Sequence, residues 1–149
     1  MTTSRRPVPT RADFPYWTTD TVRYGDLDRQ NHVNNAVYST YFETGRVLVL
    51  RDPDLGLLVP NTEYALVRAV IDFLSEMRWP GVADIGTAIT RVGTSSLTFA
   101  QAVFVGDTCT ATGENTVVLV DAKTRRPTPF PAELAARMRA AMPKAPGRA

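Results

Sequence analysis

The segment YGDLDRQNHVNNAVYSTYFETGRVLVL, Tyr24 to Leu50, decides how this chain is read. Its first half is polar, and its second half follows a helical period. From Asn35 onward, Tyr38, Tyr41, Phe42, Gly45, Leu48 and Val49 recur at spacings of three, one, three, three and one, which is an apolar stripe. The opposite face, Ser39, Glu43, Arg46 and Leu50, is narrow and imperfect, so the helix is expected to be largely buried. Asn34 suits the N-cap, because its side chain can accept from the first free backbone amides. Asp52-Pro53 predicts the helix end, since the residue before proline resists the α region.

Outward from that segment the period changes to two. Tyr16 to Tyr24, rich in Thr, Val, Trp and Tyr, reads as a first strand. Beyond a loop, Asp54 to Thr62, the residues Ala65, Val67, Ala69, Ile71 and Phe73 alternate onto one strand face, with Arg68 and Asp72 on the other. Trp79-Pro80-Gly81 breaks the pattern. Ala83 to Val92 and Ser96 to Val105 follow as strands around a Gly93-Thr94-Ser95 turn. Gly106-Asp107 turns the chain into Thr108 to Asp121, where Gly113-Glu114-Asn115 predicts a bulge or bend. Pro131 stands at a helix start, with Glu133 in the first turn and Leu134, Met138 and Met142 on one face. This order predicts an α+β domain, an antiparallel sheet of about five strands curled around a long central helix. A lone sheet of that size leaves edges open, so pairing with a second copy is expected.

A chain of 149 residues, 44% hydrophobic, has room for one core. The expected domain is 15–142, between a flexible leader (1–14) and a tail (143–149). No apolar run approaches the roughly 18 residues of a membrane span, and the start lacks the apolar run of a secretory signal. A single cysteine, Cys109, permits no internal disulfide and no cysteine-based metal site, which points to a reduced cytoplasm. It is expected to be a small core residue. The net charge is only +2 and no basic block occurs, which argues against a nucleic-acid partner. The positive charge is almost all arginine, a residue that forks onto phosphates, although a solvated surface accounts for most of it.

The polar half of the opening segment concentrates the chemistry. Asp26 and Asp28 precede the helix, and His32 is the only histidine. Free amides at a helix start favour an oxyanion or a polarised carbonyl, and a carboxylate upstream could attack it or activate water. By spacing alone, aspartates that cap local turns are the commoner explanation.

The run Asp26-Leu27-Asp28, then His32-Val33-Asn34-Asn35, then Tyr38, Tyr41, Phe42, Glu43 and Arg46 resembles the signature of hotdog-fold thioesterases. The nearest groups are the hydroxybenzoyl-CoA thioesterase-like family and the acyl-ACP thioesterases. Arg91 to Ser96 resembles the family's turn between central strands, and Asp121 to Thr124 with Pro127 to Glu133 its C-terminal pattern. The likeness covers roughly Val22 to Met138.

The resemblance implies hydrolysis of an acyl-CoA or acyl-carrier-protein thioester, with no metal or redox cofactor and with CoA or phosphopantetheine entering as part of the substrate. It makes Asp28 the catalytic carboxylate, as nucleophile or general base, and Asp26 a residue that fixes the loop. It places the amides of Asn34 and Asn35 at the thioester carbonyl, with His32 nearby; a packed histidine is the alternative there. Many members have glycine where this chain has Asn31, and the acyl-ACP type reads Asn-Gln where this chain has Gln30-Asn31, so Gln30 is a candidate for positioning water. Some CoA-specific relatives carry a basic cluster where this chain has Gly93-Thr94-Ser95 with Arg91 close by. Thr94, Ser95 and Ser96 are candidates to touch a pantetheine arm or phosphate. Glu43 is a candidate second carboxylate at the site, or a partner for Arg46 or for a second subunit. The family's sites lie at a dimer interface, which implies a homodimer or homotetramer. Two other functions stay open: a non-catalytic acyl-thioester-binding module, and a hotdog hydratase or dehydratase.

Overall fold

Five strands and two α-helices, with short 3-10 turns at Arg11–Asp13 and Tyr24–Asp26, succeed one another in the computed structural model, which describes residues 6–144. They are strand β1 (Tyr16–Val22), helix α1 (Val37–Leu50), strands β2 (Thr62–Phe73), β3 (Gly81–Val92), β4 (Ser96–Val105) and β5 (Thr108–Asp121), and helix α2 (Ala132–Ala140). The strands form one antiparallel sheet in the order β1-β3-β4-β5-β2. The architecture is therefore α+β, as the change of period implied. No described helix is long and apolar enough to cross a membrane.

One face of the sheet packs against α1, whose 14 residues make a helix of ordinary rather than exceptional length. Tyr38, Tyr41, Phe42, Gly45 and Val49 of the predicted stripe are buried, whereas Leu48 is half exposed. Helix and sheet meet closely because Gly45 has no side chain. A Cβ there would stand 2.8 Å from both Gln101 Nε2 and Ile85 Cγ2. The core divides along the helix. Its first half packs with Val22, Val33, Met77, Ile85 and Val103, and its second half with Leu57, Leu97, Leu119, Phe130 and α2. Between the halves lies a buried polar belt of Arg46, Thr87, Gln101 and Asn115.

Several local expectations give way to tertiary packing. Arg46 and Leu50, read as the helix's outer face, turn inward, while Ser39 and Glu43 face solvent. In β2 the register jumps at Val67, between the pairs Leu66–Val117 and Arg68–Thr116. The extra residue splits the expected alternation: Ala69, Ile71 and Phe73 share the helix-facing side with Leu66, and Ala65 falls on the other. No bulge occurs at Gly113; it lies in regular pairing with Gln101, and its bare Cα admits the Phe42 ring, 3.0 Å from where a Cβ would sit. Pro131 serves as the residue before α2 rather than its first.

The leader expected through Phe14 is fastened from Thr10 onward. Arg11 bonds Asp84 and the Gly106 carbonyl, and the buried Phe14 ring lies on the outer sheet face where Gly86 leaves room. Of the leader and the tail, residues 1–5 and 145–149 lie outside the described residues.

Candidate active site

The polar segment before α1 folds as a tight bend closed by bridge pairing of Leu27 with Val33. Asn31 takes a left-handed backbone, φ 63°, at its tip, a conformation asparagine tolerates better than most residues. Two outside contacts hold the bend: Val33 donates to the Met77 carbonyl at 2.8 Å, and Asn34 donates to the Asp26 carbonyl at 2.9 Å.

The two aspartates have different surroundings. Asp26 is buried, accepts from the Arg23 amide at 2.8 Å and from the Tyr41 hydroxyl at 3.2 Å, and pairs with the Arg23 guanidinium. Burial opposes its charge, but these donors outweigh burial and hold its pKa below the usual carboxylate value. The same burial and the neighbouring carboxylate push the Tyr41 hydroxyl far up. Asp28 is partly open, its side chain 27% exposed. Its Oδ1 accepts from the Gln30 amide at 2.8 Å, and Oδ2 faces His32 Nδ1 at 3.9 Å. On the far side of the imidazole, Nε2 lies 3.7 Å from Glu76 Oε1. Asp28, His32 and Glu76 thus form a row at the start of α1.

At the helix start the Asn34 side chain accepts from the Ala36 amide at 3.0 Å, so it caps a turn that precedes the helix proper by two residues. The Asn34 amide is engaged by Asp26. The Asn35 amide has no hydrogen-bond partner among the described residues and lies on the surface.

The other expected site residues lie elsewhere. Glu43 is exposed on α1 and forms no ion pair with Arg46. Arg91, Thr94, Ser95 and Ser96 sit at the opposite end of β3 from the Asp28 bend. There the Thr94 and Ser95 carbonyls accept from Phe130 and Leu119. Within one chain these residues and Asp28 are not brought together. Sequence reasoning missed Glu76, which follows β2 in a stretch with no period, and the inward direction of Arg46.

Comparison with known proteins follows the same lines. The family model described as the thioesterase-like superfamily matches residues 22–138. The PA5185 protein of Pseudomonas aeruginosa superposes with a TM-score of 0.81 at 26% identity, over 94% of this chain and 100% of its own. A predicted thioesterase of Bacillus stearothermophilus gives 0.76 at 27% identity, over 89% and 98%. A Thermus thermophilus thioesterase, in complex with coenzyme A and zinc, gives 0.72 at 27% identity, over 87% and 95%. No curated protein sequence matches the chain.

Proposed function

The chain belongs to the thioesterase-like superfamily, and from that premise we propose that it hydrolyses an acyl-CoA thioester to a free acid and a thiol. The observation that carries this reading is the Asp28 carboxylate, tethered through one oxygen and facing His32 with the other, in the bend that leads to the unpartnered Asn35 amide before α1. The substrate carbonyl oxygen accepts from the Asn35 amide, close to the positive end of the helix dipole, while the Asn34 amide keeps the loop closed onto Asp26. Asp28 then acts by one of two routes. As a nucleophile its free oxygen bonds to the carbonyl carbon, the carbon–sulfur bond breaks, and water cleaves the resulting mixed anhydride. As a general base it takes a proton from a water that attacks the same carbon. His32, between Asp28 and Glu76, is placed to return a proton to the departing thiolate. Coenzyme A as the carrier is supported by the Thermus relative's complex; a carrier-protein ester offers the same thioester.

The working unit of this reading is a pair of chains. The free edge of β2 is long and exposes Leu66, Val67, Val70 and Phe73, an edge that invites a second copy. In such a pair Arg91 and Thr94 to Ser96 of one copy would meet the CoA arm of a thioester held at Asp28 of the other. Sedimentation should find at least a dimer.

The test is thiol release from short, long and aromatic acyl-CoAs, with wild type and Asp28→Asn side by side at pH 7 to 8. Loss of roughly a hundredfold or more in kcat, with the oligomer intact, is expected for loss of a nucleophile or base. Unchanged turnover would remove Asp28 from the mechanism. Release only from acyl carrier protein would move the carrier, and ester binding without release in wild type would make the protein an acyl-binding module.

A further inference from the structure

The leader lies across the outer sheet face and is held there unevenly. Between Thr10 and Phe14 it is anchored. Arg11 Nη1 donates to Asp84 at 3.1 Å and to the Gly106 carbonyl at 2.9 Å, and its guanidinium lies 4.4 Å from the centre of the Trp17 ring. Trp17 Nε1 in turn donates to the Phe14 carbonyl at 2.9 Å. Trp17 belongs to β1 and Asp84 to β3, on one side of the sheet. Before Thr10 the fastening ends. Residues 6–9 form no hydrogen bond among the described residues, and with Val70, Ala100 and Thr112 of the sheet they enclose a cavity of about 680 Å³. Val8 is 61% exposed.

The loose end points at the other side of the sheet. In the strand order β1-β3-β4-β5-β2, Arg6 has come within 3.9 Å of Glu114 on β5, one strand from the free β2 edge. Its charge is poorly met there. The Glu114 carboxylate already holds Arg68 at 2.6 Å, and the Arg6 side chain is 91% exposed. Asp72, on the same outward side of β2 as Arg68 and Val70, has no ion pair among the described residues. Two copies joined antiparallel at β2 continue one sheet with strands about 4.8 Å apart, so the partner's β2 lies about 10 Å from β5. A two-fold pair makes such a contact reciprocal, and Pro7 and Pro9 limit the backbone freedom lost when the segment is ordered.

We propose that the leader is a clasp between copies: residues 6–9 of each chain cross the β2 seam, Val8 covers apolar residues at the partner's edge, and Arg6 pairs with the partner's Asp72. The inference rests on the pair of chains in the functional reading and names the segment that holds it. An open cavity, an exposed valine, a loosely paired arginine and an unpaired aspartate then share one explanation. Because Arg91 and the turn after it serve the site of the other copy, the clasp also sets the protein concentration at which that site is complete.

The test is sedimentation over a dilution series, which needs no turnover. Deleting residues 2–9 leaves the anchors from Thr10 to Phe14 in place and should raise the dimer dissociation constant about tenfold or more, with Val8→Asp acting in the same direction. Arg6→Asp and Asp72→Arg should each weaken the pair about fivefold. Mixed together, these two variants should form the mixed dimer in preference to either homodimer, because only across copies does each altered residue then meet its opposite charge. Thiol release per chain should fall in the deletion variant at low protein concentration and return to the wild-type value at high concentration. A dissociation constant unmoved by both the deletion and Val8→Asp, or a wild-type monomer, would overturn the clasp, and thiol release then reports separately on the thioesterase reading. Weakening by both charge variants without preference for the mixed dimer would also overturn it, because Arg6 and Asp72 would then act within one chain.

Discussion

The start of α1 and its middle each bury a charge, and the protein treats the two in opposite ways. At the start, Asp26 is surrounded by donors: an amide and a guanidinium from Arg23 and a hydroxyl from Tyr41. In the middle, Arg46 has one long bond to a neutral amide and no opposite charge. The first arrangement is complete within the chain and has the form of a structural clamp. The second is unmatched within one chain, since the only group bonded to the guanidinium is a neutral amide. Burial alone separates neither; the difference lies in whether the charge is matched.

The largest effect should come from breaking the matched charge. Asp26→Ala leaves the buried Tyr41 hydroxyl and the Arg23 amide without their acceptor and unties the bend that carries Asp28. A loss of about 3 kcal/mol of unfolding free energy is expected in urea titration. A change below about 1 kcal/mol would mean that the backbone contacts of Val33 and Asn34 hold the loop unaided. The pH dependence sharpens the same point. Because the folded-state pKa of Asp26 is depressed, its contribution is fully present above the unfolded-state value and disappears as pH falls through the folded one. The gap between wild type and Asp26→Asn should therefore be constant at neutral pH and close below about pH 4.

A smaller effect is expected at Gly45, where helix and polar belt touch. Gly45→Ala adds a Cβ 2.8 Å from Gln101 Nε2 and 2.9 Å from Thr87 Oγ1, so α1 must lift or the Gln101 network must shift. Overpacking of about 1–3 kcal/mol is offset by about 1 kcal/mol of helix propensity, for a net loss of about 1 kcal/mol. Equilibrium unfolding measures this loss. A net gain in stability would show that the belt yields freely and does not fix the spacing of helix and sheet.

Much of the fold was legible because period reports burial where side chains pack against only one layer. The helix at Tyr38 to Val49 and the later strands follow that rule. It failed where a tertiary contact reassigned a side. Val67 adds one residue and splits the alternation of β2, and Gly113 answers the bulk of Phe42 rather than a bend. Arg46 breaks the assumption that a charge marks the outer face, because Gln101 and Asn115, some 55 and 69 positions later, create a polar interior that no local window contains. The bend from Asp26 to Asn35 was legible as a motif. The sharing of its amides was not: that the Asn34 amide closes the loop while the Asn35 amide stays open depends on where the Asp26 carbonyl points.

The smallest predicted change in stability is at Asp28, and its smallness carries the contrast furthest. Asp28 stands two residues from Asp26, but its side chain binds only the Gln30 amide of its own turn, with its second oxygen 3.9 Å from the imidazole of His32. Removing it forfeits one local bond on a partly exposed turn and strands no buried donor. Asp28→Ala should therefore cost about 0.5 kcal/mol or less in urea unfolding while abolishing thiol release. Asp26→Ala should instead cost stability first and activity through the loosened loop. A loss at Asp28 as large as that at Asp26 would make both aspartates parts of one clamp and place the reactive group elsewhere in the row with His32 and Glu76. A small loss with activity gone would separate a carboxylate that the fold needs from one that it merely holds in position for chemistry.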